Sequence, residues 1–202
     1  MRVAVHCLFL AGGLLLLPGP AGAQSPGDAS WPQAISLTRK LEAIEKRRKE
    51  PRPRPETILV TEGELNSYLT LSMGPKMPPG ITGVQVRLQR ERVSAVGYVD
   101  LDRWGDTVKS SSSRFSLLAL LSGQVPIELQ ARLPNNDGFG TLEWEQIRIS
   151  SLPVPLRALE ELVAALTRTP SQPGGFDIRA PFRLPYAARR IRLEPGRALL
   201  DF

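Results

Sequence analysis

The chain contains one cysteine, Cys7, and one histidine, His6, and both lie among its first two dozen residues. Beyond them no thiol or imidazole remains to form a disulfide, a zinc site or a Ser-His-Asp or Cys-His nucleophile. The rest of the chain must therefore fold on an ordinary hydrophobic core. About 180 residues remain after this segment, which is the size of one domain.

The first residues have the plan of a removable export signal. Met1-Arg2 is positively charged, Val3 to Leu17 is almost wholly apolar, and Ala21-Gly22-Ala23 supplies the small residues of a cleavage site. The alternative is a membrane anchor, but the apolar run is shorter than the roughly 20 residues that cross a bilayer as a helix. We predict a signal peptide over residues 1–23 and a periplasmic or extracellular protein.

Positive charge is concentrated in one short stretch. The chain has 26 Lys and Arg against 20 Asp and Glu, and residues 39–54 alone hold eight basic and three acidic side chains. Such a stretch is typical either of a solvated helix end with its linker or of contact with an anionic surface. The residues predicted for that contact are Lys46, Arg47, Arg48, Lys49, Arg52 and Arg54.

The same region is predicted to begin with a separate helix. Apolar residues recur at three- and four-residue steps over residues 31–49, which predicts one apolar helix face. Pro51, Pro53 and Pro55 then indicate an extended linker. We predict a basic amphipathic helix and linker over residues 24–56, followed by a single domain over residues 57–202. Residues 31–54 would contact a membrane surface or an envelope protein, and we expect no contact with nucleic acid.

Residues 57–202 alternate between two periodicities. A capping box at Thr61 to Glu64 opens a helix over residues 62–72, and a leucine stripe predicts a second helix over residues 156–168. Period-two patterns predict antiparallel hairpins, with a bulge between Trp144 and Ile147. The fold class is therefore α+β, with a curved sheet of hairpins packed against one or two amphipathic helices. The predicted strands cover residues 84–89, 93–101, 125–133 and 142–149, and a last hairpin carries Ile191 and Leu193 before a turn over residues 194–197 and a final strand over residues 198–202.

Several apolar residues are candidates for a ligand groove between sheet and helix. The strand over residues 93–101 is apolar on both faces, and residues 115–121, predicted as a short helix, are the most apolar segment after the leader. Both features are equally typical of core packing. The groove candidates are Val96, Tyr98, Phe115, Leu118, Leu159, Val163 and Leu166.

The other charged side chains give little indication of a catalytic, metal or anion site. Asp100 and Asp102 share a strand face and could form an acid/base pair or a cation site, but a strand end turning into solvent explains them as well. Arg189, Arg190 and Arg192 could bind an anion, although alternation places the last two on an outer, solvated face. We predict no catalytic residue, no metal and no cofactor.

The order of segments TEGELNSYL, VRLQRERVSAVGYVDLD, VPIELQARL, GTLEWEQIRI, LPVPLRALEELV and RRIRLEPGRALLDF resembles bacterial exported proteins that look like half of a tubular lipid-binding module, of the mycobacterial periplasmic type. The resemblance implies a curved sheet wrapping a long helix, with an apolar groove between them and no catalytic residues. Together with the residue patterns it predicts a non-enzymatic protein that binds a lipid or another apolar ligand. The alternative is a structural or interaction protein of the cell envelope.

Overall fold

The structure is a computed structural model that describes residues 29–50, 55–103, 122–168 and 172–202. The side chains of Leu162, Ala165 and Leu166 are outside this description. The predicted signal peptide, the linker prolines Pro51 and Pro53, and the segment over residues 115–121 also lie outside the described residues.

Three α-helices lie wholly within the described residues, and all three were predicted. They are α1 (Trp31–Arg47), α2 (Glu62–Tyr68) and α3 (Leu156–Thr167). The capping box that opens α2 is formed, because Thr61 accepts from the amide of Glu64 and the Glu64 carboxylate accepts from the amide of Thr61. A π turn, Leu69–Met73, extends α2 to about the predicted length. Within the described parts of the chain, no helix combines the length and the apolar character needed to cross a membrane.

The strands form three open antiparallel sheets, which confirms the α+β class. The strands are β1 (Thr57–Thr61), β2 (Ile81–Gln89), β3 (Arg92–Asp100), β4 (Gln124–Arg132), β5 (Asn135–Asn136), β6 (Phe139–Gly140), β7 (Glu143–Ile149), β8 (Leu152–Pro153), β9 (Phe182–Arg183), β10 (Arg190–Glu194) and β11 (Arg197–Asp201). A five-stranded sheet has the order β2-β3-β4-β7-β8, and two three-stranded sheets have the orders β1-β11-β10 and β5-β6-β9.

The register of the large sheet confirms the predicted bulge. Strand β4 pairs Gln130 with Gln146 and Ala131 with Trp144, so Glu145 is the extra residue on β7. The bulge restores the alternation that the sequence loses between Trp144 and Ile147. As a result Ile147 and Ile149 both face the core, where they are 7% and 1% exposed.

The predicted N-terminal helix packs directly on the rest of the fold. Ala34, Leu37 and Ile44 on one face of α1 are buried. Leu37 belongs to the same apolar cluster as Val60 of β1 and Leu69 beyond α2. The apolar stripe that predicted an amphipathic helix therefore has its partner within this chain, and α1 forms part of the main core.

The edge of the large sheet is closed by side chains from α2. The Asn66 side chain donates to the carbonyl of Val86 and accepts from its amide, at 2.8 and 2.7 Å. Glu62 accepts from the amide of Leu88 at 2.7 Å. These groups satisfy the outer backbone positions of β2, which would otherwise be open to pairing with another chain.

The side chain of Asn135, like that of Asn66, bonds to both backbone groups of one strand residue, and it links two sheets. Its side-chain amide donates to the carbonyl of Ile191 on β10 at 2.8 Å and accepts from the amide of Ile191 at 2.7 Å. It also donates to the carbonyl of Leu133 at the end of β4. A single side chain thus takes the place of a paired strand between β4 and β10.

Replacing Asn135 by alanine is expected to lower the free energy of unfolding by about 2 kcal/mol, because the amide and carbonyl of buried Ile191 lose their partner together. The neighbouring Asn136→Ala is the matched control, since Asn136 is exposed, and it is expected to change stability by less than about 0.5 kcal/mol. Urea unfolding measures both, and equal effects of the two variants would contradict this role.

Candidate anion-binding site

The groove candidates lie on two different faces of the large sheet. Leu159 of α3 is 3% exposed and packs against Leu129 and Ile147 on the inner face. Val96 and Tyr98 alternate with the inward residues of β3, so they occupy the outer face. A single groove between sheet and helix would therefore contain Leu159 and Val163 but exclude Val96 and Tyr98.

The inner-face candidates are packed as core residues. Leu159 contacts a cluster that includes Ile178, and Val163 packs against the same cluster while remaining partly exposed. Tyr98 on the outer face is 45% exposed. Phe115, Leu118 and the side chain of Leu166 lie outside the described residues, so the apolar-groove hypothesis remains a sequence prediction.

The predicted basic contact residues surround the C-terminal end of α1. Lys46 and Arg47 occupy its last turn, and Arg48 follows as its C-cap. Arg47 forms an ion pair with Glu56, and Arg48 with Glu45 at 3.0 Å. Lys49 is exposed in the turn that follows α1, whereas Arg52 and Arg54 are outside the described residues.

Arg48 also lines a pocket of about 510 Å³ that the sequence did not predict. Its walls come from four places in the chain: the end of α1, the β5–β6 turn, β9 and the segment before β10. The side chains and backbone that line it belong to Arg48, Asp137, Gly138, Phe139, Arg183, Leu184, Pro185, Tyr186, Ala187 and Arg189. We call it the arginine pocket.

The residues that line it carry a larger net positive charge than the lining of either other described pocket. Three arginines and one carboxylate line the arginine pocket. A groove of about 790 Å³ beside β10 has four arginines and three glutamates. A pocket of about 640 Å³ between α1 and β1 has two basic and two acidic residues. Only the arginine pocket, among these three, has a net charge of two in its lining, which favours an anionic occupant.

One wall of the pocket is a strained turn. Tyr186 and Ala187 have φ values of 57° and 61°, in the left-handed region that residues with a Cβ rarely adopt. Each costs about 1 kcal/mol or more, and two in succession need strong local support. Backbone strain of this kind is concentrated at binding and catalytic sites.

Hydrogen bonds on both sides hold this turn in place. The amide of Leu184 donates to the carbonyl of Gly138, and the amide of Gly138 donates to the carbonyl of Arg189, both at 2.8 Å. The amide of Arg189 donates to the carbonyl of Asp201 on β11 at 2.7 Å. Leu184 and Ala188, at 3% and 0% exposure, anchor the turn in the core. The residues on both sides of the strained turn are therefore bonded to the β5–β6 turn and to β11.

Aromatic side chains add an apolar surface to the pocket. The Arg183 guanidinium carbon lies 5.4 Å from the centre of the Phe139 ring, a cation–π contact, and Phe139 is 48% exposed. Burial raises the pKa of Tyr186, and Tyr68 and Glu45 raise it further. The phenol therefore stays uncharged at neutral pH and adds no negative charge to the pocket.

Sequence reasoning missed most of this site. Arg183, Tyr186 and Arg189 come from a proline-containing segment whose alternating Phe182, Leu184 and Tyr186 indicate strand structure but no site, and Phe139 follows a turn. Arg189 was considered for anion binding, together with Arg190 and Arg192, which the structure places on the exposed outer face of β10 as predicted. Their shared pocket arises from the antiparallel pairing of β6 with β9, which no local pattern indicates.

Asp100, one of the two acidic residues considered for an acid/base pair or a cation site, has a structural role. One oxygen of Asp100 accepts from the amides of Asp102 and Arg103, at 3.1 and 3.4 Å, and the other pairs with the Arg103 guanidinium. Asp100 thus caps the helical turn that begins at Leu101, directly after β3. Among the described residues, no group of three or more His, Cys, Asp or Glu side chains could hold a metal ion.

Comparisons with known proteins add no assignment to this site. No protein-family model, curated protein or solved structure matches the chain.

Proposed function

We propose that this chain is an exported, non-enzymatic binding protein of the cell envelope that contacts anionic lipid through the arginine pocket and the basic end of α1. The observation that carries the proposal is the excess of arginine over carboxylate in that pocket. The ligand is a lipid, as the sequence predicts, but the anionic headgroup is the part recognised.

Two features support a surface contact over capture of a ligand in the protein interior. Lys46 and Lys49 are exposed beside Arg48, so positive charge continues from the pocket along the end of α1. Phe139 adds an exposed aromatic ring at the pocket, an apolar surface that can enter the boundary between headgroups and acyl chains.

A binding role also agrees with the side chains available for chemistry. After the predicted signal peptide the chain has no imidazole or thiol, the groups that most often serve as general base or nucleophile near neutral pH. The pocket offers guanidinium groups, which bind and position anions but do not exchange protons at that pH.

The triple variant Arg48→Gln, Arg183→Gln, Arg189→Gln is expected to bind vesicles of phosphatidylglycerol about 100-fold more weakly than the unchanged protein. The estimate uses about 1 kcal/mol for each basic side chain near an anionic surface. Co-sedimentation with vesicles at fixed ionic strength measures the partition coefficient, and vesicles of phosphatidylcholine alone provide the uncharged reference.

A matched control removes the same charge elsewhere. Arg103, Arg157 and Arg168 are exposed and do not line the pocket, so replacing all three by Gln is expected to reduce binding less than about fivefold. Equal losses in the two triple variants would show that net charge alone drives binding. Absence of binding of the unchanged protein to anionic vesicles would refute the proposed function.

A further inference from the structure

Strand β1 is an outer strand of its sheet and pairs on one side only, with β11. The carbonyl of Glu56 accepts from the amide of Phe202. At the other end of the strand, the amide of Glu62 donates to the carbonyl of Gly196. Because bonded pairs alternate along an antiparallel ladder, the even-numbered residues of β1 bond to β11, and the odd-numbered residues direct their backbone groups to the open edge.

Side chains close only part of this edge. The Lys40 ammonium donates to the carbonyl of Leu59 at 2.7 Å, and the amide of Thr61 donates to Glu64 at 2.9 Å. The amide of Leu59 and both backbone groups of Thr57 also face outward, and none of the described residues bonds to them. Asparagine side chains bond to the outer backbone groups of β2 and β10, so the edge of β1 is left more open than theirs.

The outward groups of β1 are complementary to those of an identical strand. When two copies of β1 lie antiparallel about a two-fold axis at Thr57, each Thr57 exchanges two backbone hydrogen bonds with its counterpart. Leu59 then lies opposite Pro55 of the second copy, and the Leu59 amide donates to the Pro55 carbonyl. Proline has no N–H, and the Leu59 carbonyl opposite it is already bonded to Lys40. Every outward backbone group of residues 55–59 has a partner in this register.

The surroundings of the edge also suit a second strand. A groove of about 640 Å³ lies between β1 and α1, and its α1 wall includes Ala43, a small exposed residue. Two basic and two acidic side chains line the groove, so they add no net repulsion between two copies. Leu59 is 37% exposed and Pro55 is exposed. Residues directly opposite each other share a face of the sheet, so pairing covers apolar surface on both.

From this pattern we propose that two copies of this chain form a symmetric dimer by antiparallel pairing of their β1 edges. The pairing joins two three-stranded sheets into one sheet of six strands. A second copy fits this edge better than an unrelated extended segment, because the missing N–H of Pro55 falls opposite the one carbonyl that Lys40 already occupies. The dimer does not depend on the proposed function.

Sedimentation equilibrium over a range of protein concentrations measures the dimer dissociation constant. Thr57→Pro removes one outward N–H from each copy and is expected to raise this constant about 30-fold, from two hydrogen bonds of about 1 kcal/mol each. Thr57→Val is the matched control. It loses the same side-chain bond to Asp201 but keeps the N–H, and its dimer is expected to persist. A monomer at every concentration, or equal weakening by both variants, would overturn the proposal.

Cysteine cross-linking tests the register without a proline. In the full chain carrying Cys7→Ser, Thr57→Cys is expected to form a disulfide between copies on mild oxidation. The Cα atoms of a hydrogen-bonded antiparallel pair lie about 5.5 Å apart, within the range that a disulfide spans. Leu59→Cys is the control, because its counterparts lie roughly 14 Å apart, four residues along the strand. A cross-link through Leu59→Cys alone, or through neither variant, would contradict this pairing.

Discussion

Leu37→Ala is expected to lower the free energy of unfolding by about 2–5 kcal/mol. Leu37 is 3% exposed on α1 and packs in one cluster with Val60 and Leu69. Truncation removes buried methyl groups and leaves a cavity where the helix meets β1 and α2, and the strands around it cannot close over that space. Urea unfolding followed by circular dichroism measures the change.

Ile35→Ala is the matched control on the same helix. Ile35 is 45% exposed. Its truncation is expected to lower the free energy of unfolding by less than about 1 kcal/mol, because much of the side chain that is removed already faces solvent. If α1 were an arm with its own weak packing, Leu37→Ala would leave the main unfolding transition unchanged. That result would contradict the placement of α1 in the core.

Glu64→Gln is expected to lower the free energy of unfolding by about 3 kcal/mol. Glu64 is 7% exposed, and its carboxylate accepts from the Lys40 ammonium at 2.7 Å, from the Ser36 hydroxyl at 2.5 Å and from the Thr61 amide at 2.9 Å. These bonds join α1 to the start of α2. Glutamine removes the charge and turns one acceptor into a donor that faces other donors, and hydrogen bonds to charged groups are worth about 1.5–3 kcal/mol.

The effect is expected to depend on pH. Burial alone would raise the pKa of Glu64, but hydrogen bonds from Lys40, Ser36 and Thr61, together with the charge of Lys40, outweigh it, so the pKa lies below its ordinary 4.5. The folded state thus binds the proton more weakly than the unfolded chain. The stabilisation is fully present above pH 4.5 and is lost as the pH falls through the folded-state value.

The difference between the unchanged protein and Glu64→Gln should therefore shrink on acidification below pH 4.5. Glu42→Gln, at an exposed position on α1, is expected to show neither the loss of stability nor this pH dependence. A difference that stays constant down to pH 3 would indicate that packing, and not the charge of Glu64, explains the loss.

Local patterns in the sequence were sufficient for most of the secondary structure. The capping box at Thr61, the leucine stripe of α3, the alternation along β3 and β4 and the lost alternation at Trp144 each depend on neighbours within a few residues. Those signals predicted α2, α3, the hairpins and the bulge, and with them the α+β class that the structure confirms.

The pairing of helix and sheet faces depended on contacts between residues that are far apart in the sequence. The stripe on α1 predicted a buried helix face but not its partner, because Leu37 and Val60 come together only when α1 lies across β1 and α2. Apolar residues on both faces of β3 suggested a groove, but the pleat places Val96 and Leu159 on opposite sides of the sheet.

The absence of histidine and cysteine after residue 7, the basic stretch over residues 39–54 and the periodicity of each element are properties of the sequence by itself. They determined that the fold is stabilised by an apolar core, and they indicated a contact with an anionic surface. The arginine pocket is a property of the tertiary structure, because β6 pairs with β9 and a left-handed turn at Tyr186 brings Arg183 and Arg189 to Arg48. These side chains are separated by up to 141 positions, a distance along the chain over which local preferences carry no information about contact.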